Sequence, residues 1–177
     1  MAIKIIQNKN LLLKISPDMG ASVIQFLKKK QNIDIFRPLN NNKKINKFNS
    51  YFTGYFATVP YFGPIRKKSF YDHEEGGYIS LRNNHIFEPE TIHGEGWINK
   101  WKINKITKNS IELFFNHNGR KGFPRIYKST QRFRLIKNSL IITISVENLD
   151  KYSFDCGIGF HPWFNLDPNS KIYSNSF

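Results

Sequence analysis

The 177-residue sequence is short of sulfur, of acidic residues and of unbroken apolar stretches. It holds one cysteine, Cys156, and two methionines. A single thiol cannot build an internal disulfide framework or a cysteine-based zinc site. No run approaches the ~20 apolar residues that span a bilayer, and the N-terminus lacks a charged-then-apolar signal layout. The expectation is therefore a cytoplasmic chain with no membrane partner. Acidic residues number only 13 against 27 Lys and Arg, which gives a formal net charge of +14.

That excess invites a nucleic-acid reading, because cations that neutralise phosphates drive non-specific affinity. Its make-up argues otherwise. The chain has 20 Lys but 7 Arg, beside 20 Asn and 23 Ile. Lys, Asn and Ile share A/T-rich codons, whereas nucleic-acid readers favour the planar, bidentate guanidinium. The runs Lys28-Lys29-Lys30 and Lys43-Lys44 sit in polar, turn-like sequence and read as solvated. No nucleic-acid partner is expected. What is present is apolar content of 40% and aromatic content of 15%, too much for a disordered chain.

The periodicity is that of strands. Residues 3–6 and 11–15 are apolar runs separated by Gln7-Asn8-Lys9-Asn10, which suits a hairpin, and Pro17-Asp18-Met19-Gly20 reads as a turn. Residues 21–27 give another strand, 40–49 a long polar loop, and 111–115 a β-prone run. Along 127–135, Tyr127, Ser129, Gln131, Phe133 and Leu135 share one face, with Lys128, Thr130, Arg132 and Arg134 on the other. That is a half-solvated antiparallel strand, and 140–146 returns beside it after Lys137-Asn138. No segment of ten residues keeps a 3.6-residue period. The expected fold class is all-β, a large antiparallel β-sandwich.

Five histidines could do acid–base chemistry. His73, His85 and His117 lie among Asp, Asn and Gly and read as loop residues. His93 and His161 differ. His93 lies in His93-Gly94-Glu95-Gly96-Trp97, with Trp101 four residues on; His161 lies in Gly157-Ile158-Gly159-Phe160-His161-Pro162-Trp163-Phe164. Glycines allow close approach to the backbone, Pro162 fixes the chain, and indoles offer flat apolar faces. Such a set suits a sugar, whose C–H faces stack while its hydroxyls hydrogen-bond. Tight turns with aromatic core plugs are the bland alternative, and spacing alone leaves both open.

At these residues the chain resembles the aldose 1-epimerase (galactose mutarotase) family. The segments at His93 and His161 look like its two active-site histidine blocks. Val59-Pro60-Tyr61 with Ile65 and Phe70 is similar to a third block, and Pro17-Asp18-Met19-Gly20-Ala21 to its opening turn. The resemblance implies a galactose mutarotase-like supersandwich and interconversion of the α and β anomers of a free aldohexose such as glucose or galactose. It makes His161 the general acid at the ring oxygen and His93 a substrate contact, with Trp97, Trp163 and Arg66 as further sugar-binding candidates, and it implies that neither a metal nor an organic cofactor is needed. The family's Asn-Arg pair falls at Gly63 and Pro64, and Arg66 follows two residues on. Tyr61-Phe62-Gly63-Pro64 is also similar to the related hexose-6-phosphate epimerases, whereas His161-Pro162 favours the free-aldose branch.

The family's glutamate base lies well after the histidine-proline block. Glu95, Asp155 and Asp167 are near the motifs, but none holds that position. Residues 1–177 are thus expected to be the N-terminal three-fifths of one such domain, truncated at the C-terminus. The alternative function is a non-catalytic carbohydrate-binding or regulatory β-domain that lacks the base.

Overall fold

Alternation of apolar and polar residues sets both the strands and the way they pack. The computed structural model describes residues 2–39, 53–61, 69–72, 77–80, 92–120 and 123–175. Its strands are β1 (Lys4–Gln7), β2 (Leu11–Ser16), β3 (Ser22–Lys28), β4 (Ile33–Asp34), β5 (Tyr55–Tyr61), β6 (Ser69–Asp72), β7 (Gly77–Ser80), β8 (Lys102–Ile106), β9 (Ser110–Arg120), β10 (Phe123–Ile136), β11 (Ser139–Asn148) and β12 (Gly157–Pro162). A 3-10 turn, Gly96–Ile98, is the one helical element among the described residues. None of those residues forms a helix long and apolar enough to cross a membrane.

The strands pair antiparallel throughout. One sheet runs β1-β2-β3-β5-β12 with β4 beside β3, a second runs β11-β10-β9-β8, and β6 pairs with β7 alone. The expected first hairpin forms with Lys4 opposite Ile15 and Gln7 opposite Leu12. Its turn is made by Asn8, whose Oδ1 accepts the N–H groups of Asn10 at 2.9 Å and Leu11 at 2.8 Å. β10 is central to the second sheet and alternates buried and outward positions along its whole length. Tyr127, Ser129, Gln131, Phe133 and Leu135 are the buried set, as the sequence pattern requires. Lys28, Lys29 and Lys30 are exposed, in keeping with a solvated run. The polar stretch 40–49, with Lys43 and Lys44, lies outside the described residues, as do Arg66, His73 and His85.

One core joins the two sheets. Ile6, Leu13, Ile15 and Val23 from the first meet Ile111, Leu113, Phe133 and Leu135 from the second. Burial of each such side chain is worth about 1.5–3 kcal/mol relative to exposure. A polar contact crosses this apolar layer: the Tyr55 hydroxyl donates to Gln131 Oε1 at 2.7 Å. Burial raises the Tyr55 pKa well above 10.0, which keeps the hydroxyl protonated as the donor.

The reading of His117 as a loop residue is corrected. It is 2% exposed on β9, at an inward position two residues beyond Phe115. Its ring stacks on Tyr127 (4.8 Å, 7°), and Nδ1 donates to the Arg125 carbonyl at 2.9 Å. Asn116 and Asn118 suggested a turn by composition, but both point outward while the two-residue period carries His117 inside. Next to it, buried Arg125 lies 3.8 Å from Asp150 and covers the Tyr152 ring at 4.7 Å. Asp150 also accepts the Ile126 and Tyr152 N–H groups at 2.8 and 3.2 Å, pinning the link from β11 toward β12. Burial pushes that carboxyl up, and these N–H donors with Arg125 outweigh it, leaving its pKa below 3.8.

The turn between β2 and β3 is clipped to the segment 99–101. Gly20 N–H donates to the Asn99 carbonyl at 3.0 Å, and Trp101 N–H to the Pro17 carbonyl at 2.9 Å. Gly20 has φ +66, and a Cβ there would overlap the backbone of Trp97. Only glycine satisfies both demands.

Two outcomes follow for stability. Tyr55→Phe removes the donor that Gln131 faces and is expected to cost about 1–3 kcal/mol in urea unfolding, against near neutrality for a solvent-exposed hydroxyl. Gly20→Ala is expected to cost at least about 2 kcal/mol, because backbone strain and overlap with a main chain add; a thermal midpoint equal to wild type would contradict the close approach.

Candidate functional site

The His93 segment is shaped by two indoles and two left-handed residues. Trp97 is fully buried and Trp101 is 4% exposed. Their Nε1–H groups donate to the carbonyls of Ile92 (3.2 Å) and Gly96 (2.8 Å), so both rings tie the chain that precedes them. Asn99 Nδ2 closes the turn by donating to the Glu95 carbonyl at 2.6 Å. His93 and Gly94 have φ 58 and 70 in succession. Glycine takes such angles freely, whereas a histidine there is strained by about 1–2 kcal/mol. Strain of this kind, held in place by surrounding structure, gathers at functional positions. It turns the half-buried imidazole toward β12.

The His161 segment is held from two sides by backbone. In β12, His161 lies opposite Phe56 and Pro162 opposite Tyr55 on β5. Past the strand end, Trp163 N–H donates to the Gly54 carbonyl at 2.8 Å. From the other side, Arg37 N–H donates to the Trp163 carbonyl at 2.7 Å and Asn165 N–H to the Ile35 carbonyl at 3.1 Å. Phe36 and Phe164 form a bridge between these stretches, with rings 5.4 Å apart. A Cβ at residue 54 would lie 2.6 Å from both the Arg37 oxygen and Phe36 Cβ, so glycine is required for the fit.

Together the two segments bring four of the five expected residues into one cluster. The rings of His93 and His161 are 5.0 Å apart at 77°. Trp97 meets the edge of His93 at 5.8 Å, and Trp163 lies 5.1 Å from His161. The fifth, Arg66, is outside the described residues. Arg37, which nothing in its local sequence marks, joins the group: its guanidinium lies 4.4 Å over the Trp163 ring, and one Nη donates to the Thr53 carbonyl at 3.0 Å.

Burial holds the His161 pKa below 6.5, against a backbone hydrogen bond that raises it, and the Arg37 cation adds to the lowering. At neutral pH the ring is therefore mainly neutral, and protonation makes it a stronger acid than an exposed imidazole. Of the acidic candidates, Glu95 receives the Asn99 amide at 3.2 Å, Asp167 Oδ1 accepts the Asn169 N–H at 2.8 Å, and Asp155 is exposed. No group of three or more His, Cys, Asp or Glu side chains gathers among the described residues. The arrangement offers two imidazoles at nearly right angles, flanked by indole faces and a guanidinium.

Comparison with known proteins gives this cluster a context. The family model described as aldose 1-epimerase matches residues 1–176. The chain is 28% identical over 121 residues to a protein of Escherichia coli K12 named uncharacterized protein YphB, an alignment covering 68% of this chain and 40% of that one. A putative aldose 1-epimerase from E. coli K12 superimposes with a TM-score of 0.80 at 24% identity, over 94% of this chain and 53% of its own. Galactose mutarotase-like proteins give TM-scores of 0.77 (Clostridium acetobutylicum; 20% identity, 93% and 54% covered) and 0.75 (Lactobacillus casei; 17%, 94% and 51%). These structural likenesses establish the β-sandwich fold, and the chain spans about half the length of those solved relatives. With the match along nearly its whole length, the chain belongs to the aldose 1-epimerase family.

Proposed function

We propose that this chain is an aldose 1-epimerase-like isomerase that interconverts the α and β anomers of a free aldohexose, as part of a single sandwich domain. The observation that supports the reading most directly is the His93–His161 pair, 5.0 Å apart with an indole beside each ring. Anomer exchange needs a proton delivered to the ring oxygen while a base removes the proton of the anomeric hydroxyl. The C1–O5 bond then breaks, leaving an open-chain aldehyde at C1 and a hydroxyl at O5. Rotation about C1–C2 and closure on the other face return both protons. His161 delivers the proton to O5, and His93 hydrogen-bonds the adjacent hydroxyl region. Trp163 carries the apolar face of the sugar, Trp97 is buried and contributes by backing the His93 ring rather than as a stacking face, and Arg66 is a further hydroxyl contact. The resemblance makes the base a glutamate; Glu95 and Asp167 are engaged in hydrogen bonds and Asp155 is exposed.

A second reading, sugar binding without turnover, is favoured by that same lack of a base among the described acidic groups. Polarimetry of the full-length gene product on freshly dissolved α-D-glucose or α-D-galactose separates the two. Acceleration that His161→Ala abolishes supports the isomerase; saturable binding by calorimetry with no acceleration supports the binding domain.

The pH dependence has a defined sign. A donor that must be imidazolium is active below its pKa, so kcat/KM is expected to fall as pH rises through a value below 6.5. The same shift makes the folded state bind fewer protons than the unfolded one. Its contribution to stability is full above 6.5 and is lost as pH falls through the folded pKa.

His93→Asn offers a separate check. Asn tolerates left-handed angles better than most residues, so the variant should keep or raise the thermal midpoint while sugar binding weakens about tenfold or more. A variant less stable than wild type, with unchanged affinity, would remove His93 from the site.

A further inference from the structure

We propose that Arg37 is a positioning residue, clamping the Trp163 indole as the platform on which the sugar rests beside His161. This rests on the sugar-site reading above and assigns a role to a residue outside both histidine motifs.

The geometry is specific. Arg37 holds Trp163 twice: its N–H donates to the Trp163 carbonyl at 2.7 Å, and its guanidinium lies 4.4 Å from the centre of the indole. The guanidinium is itself oriented, because an Nη donates to the Thr53 carbonyl at 3.0 Å. Thr53 is fully buried and precedes Gly54, whose carbonyl accepts the Trp163 N–H at 2.8 Å. Cation, indole and the turn before β5 thus form a closed loop of contacts. A flat guanidinium stacks on an indole in a way that a lysine ammonium does not, and the contact is worth more once partly desolvated. An indole fixed in this way has its ring plane set before any ligand arrives, so a sugar does not have to order it on binding. His161, 5.1 Å from the same indole, shares the orientation.

Arg37→Gln and Arg37→Lys test this on the whole protein. Gln keeps a donor for the Thr53 carbonyl and loses the cationic plane; Lys keeps the charge and loses the plane. Trp97 and Trp101 are buried, so acrylamide quenching of tryptophan emission reports chiefly on Trp163. Both variants are expected to keep the wild-type thermal midpoint and to show about twofold stronger quenching. The Kd for D-glucose or D-galactose should rise about fivefold, with Lys restoring less than half of the loss. Unchanged quenching overturns the clamp, whatever the sugar does. Stronger quenching with unchanged sugar affinity overturns the platform. A lower midpoint with unchanged affinity of the folded protein makes Arg37 a merely structural residue and also overturns it. If wild type binds neither sugar, the functional reading fails and the platform with it, while the quenching result still decides whether Arg37 holds the ring.

Discussion

The close approach of Gly20 to the backbone of Trp97 is the contact on which the site's geometry depends. No side chain mediates it; a turn of the first sheet rests directly on the main chain of the 3-10 turn. From that contact the two hydrogen bonds to Asn99 and from Trp101 follow, and with them the burial of both indoles. Trp97 and Trp101 then bond back to the chain at Ile92 and Gly96, which fixes where His93 emerges. The strained backbone of His93 is tolerated because Trp97, Asn99 and Trp101 bond back to the segment around it.

The other half of the site is built from sheet edges. β12 adds to β5, and the stretch 35–37 adds to the chain just past β12, so that main-chain bonds grip residues 161–165 from both sides. Gly54 makes the second grip possible by giving up its side chain. The result is a half-buried imidazole beside a cation, held on extended backbone rather than on a loose loop. An imidazole placed this way has its acidity set by burial first, by an opposing backbone hydrogen bond second and by Arg37 third.

Much of this was legible in the sequence, for physical reasons. Strict alternation over Tyr127, Ser129, Gln131, Phe133 and Leu135 fixed which face of β10 is buried. The His93 and His161 segments stood out because glycine, proline and tryptophan cluster there for steric reasons. His117 was misread because two flanking asparagines outweighed the longer period that runs through residues 111–117. Arg37 was missed because its role is wholly tertiary: it meets Trp163 across more than a hundred residues, through a two-residue bridge that leaves no periodic trace. The demand for glycine at residue 54 has the same origin. Left-handed angles at His93 and Gly94 could be suspected from the glycine alone, but not their succession.

The unequal pairing of the strands also bears on motion. β10 is hydrogen-bonded along both edges, to β9 and β11, over most of its length. β12 pairs only with β5 among the described residues, and Ile158 and Phe160 on it are about half exposed (50% and 51%). Amide exchange should therefore be slowest in β10, whose amides are held along both edges. His161 stands near the end of β12, and its segment takes its order from the main-chain bonds that residues 35–37 and 54 make to residues 163–165.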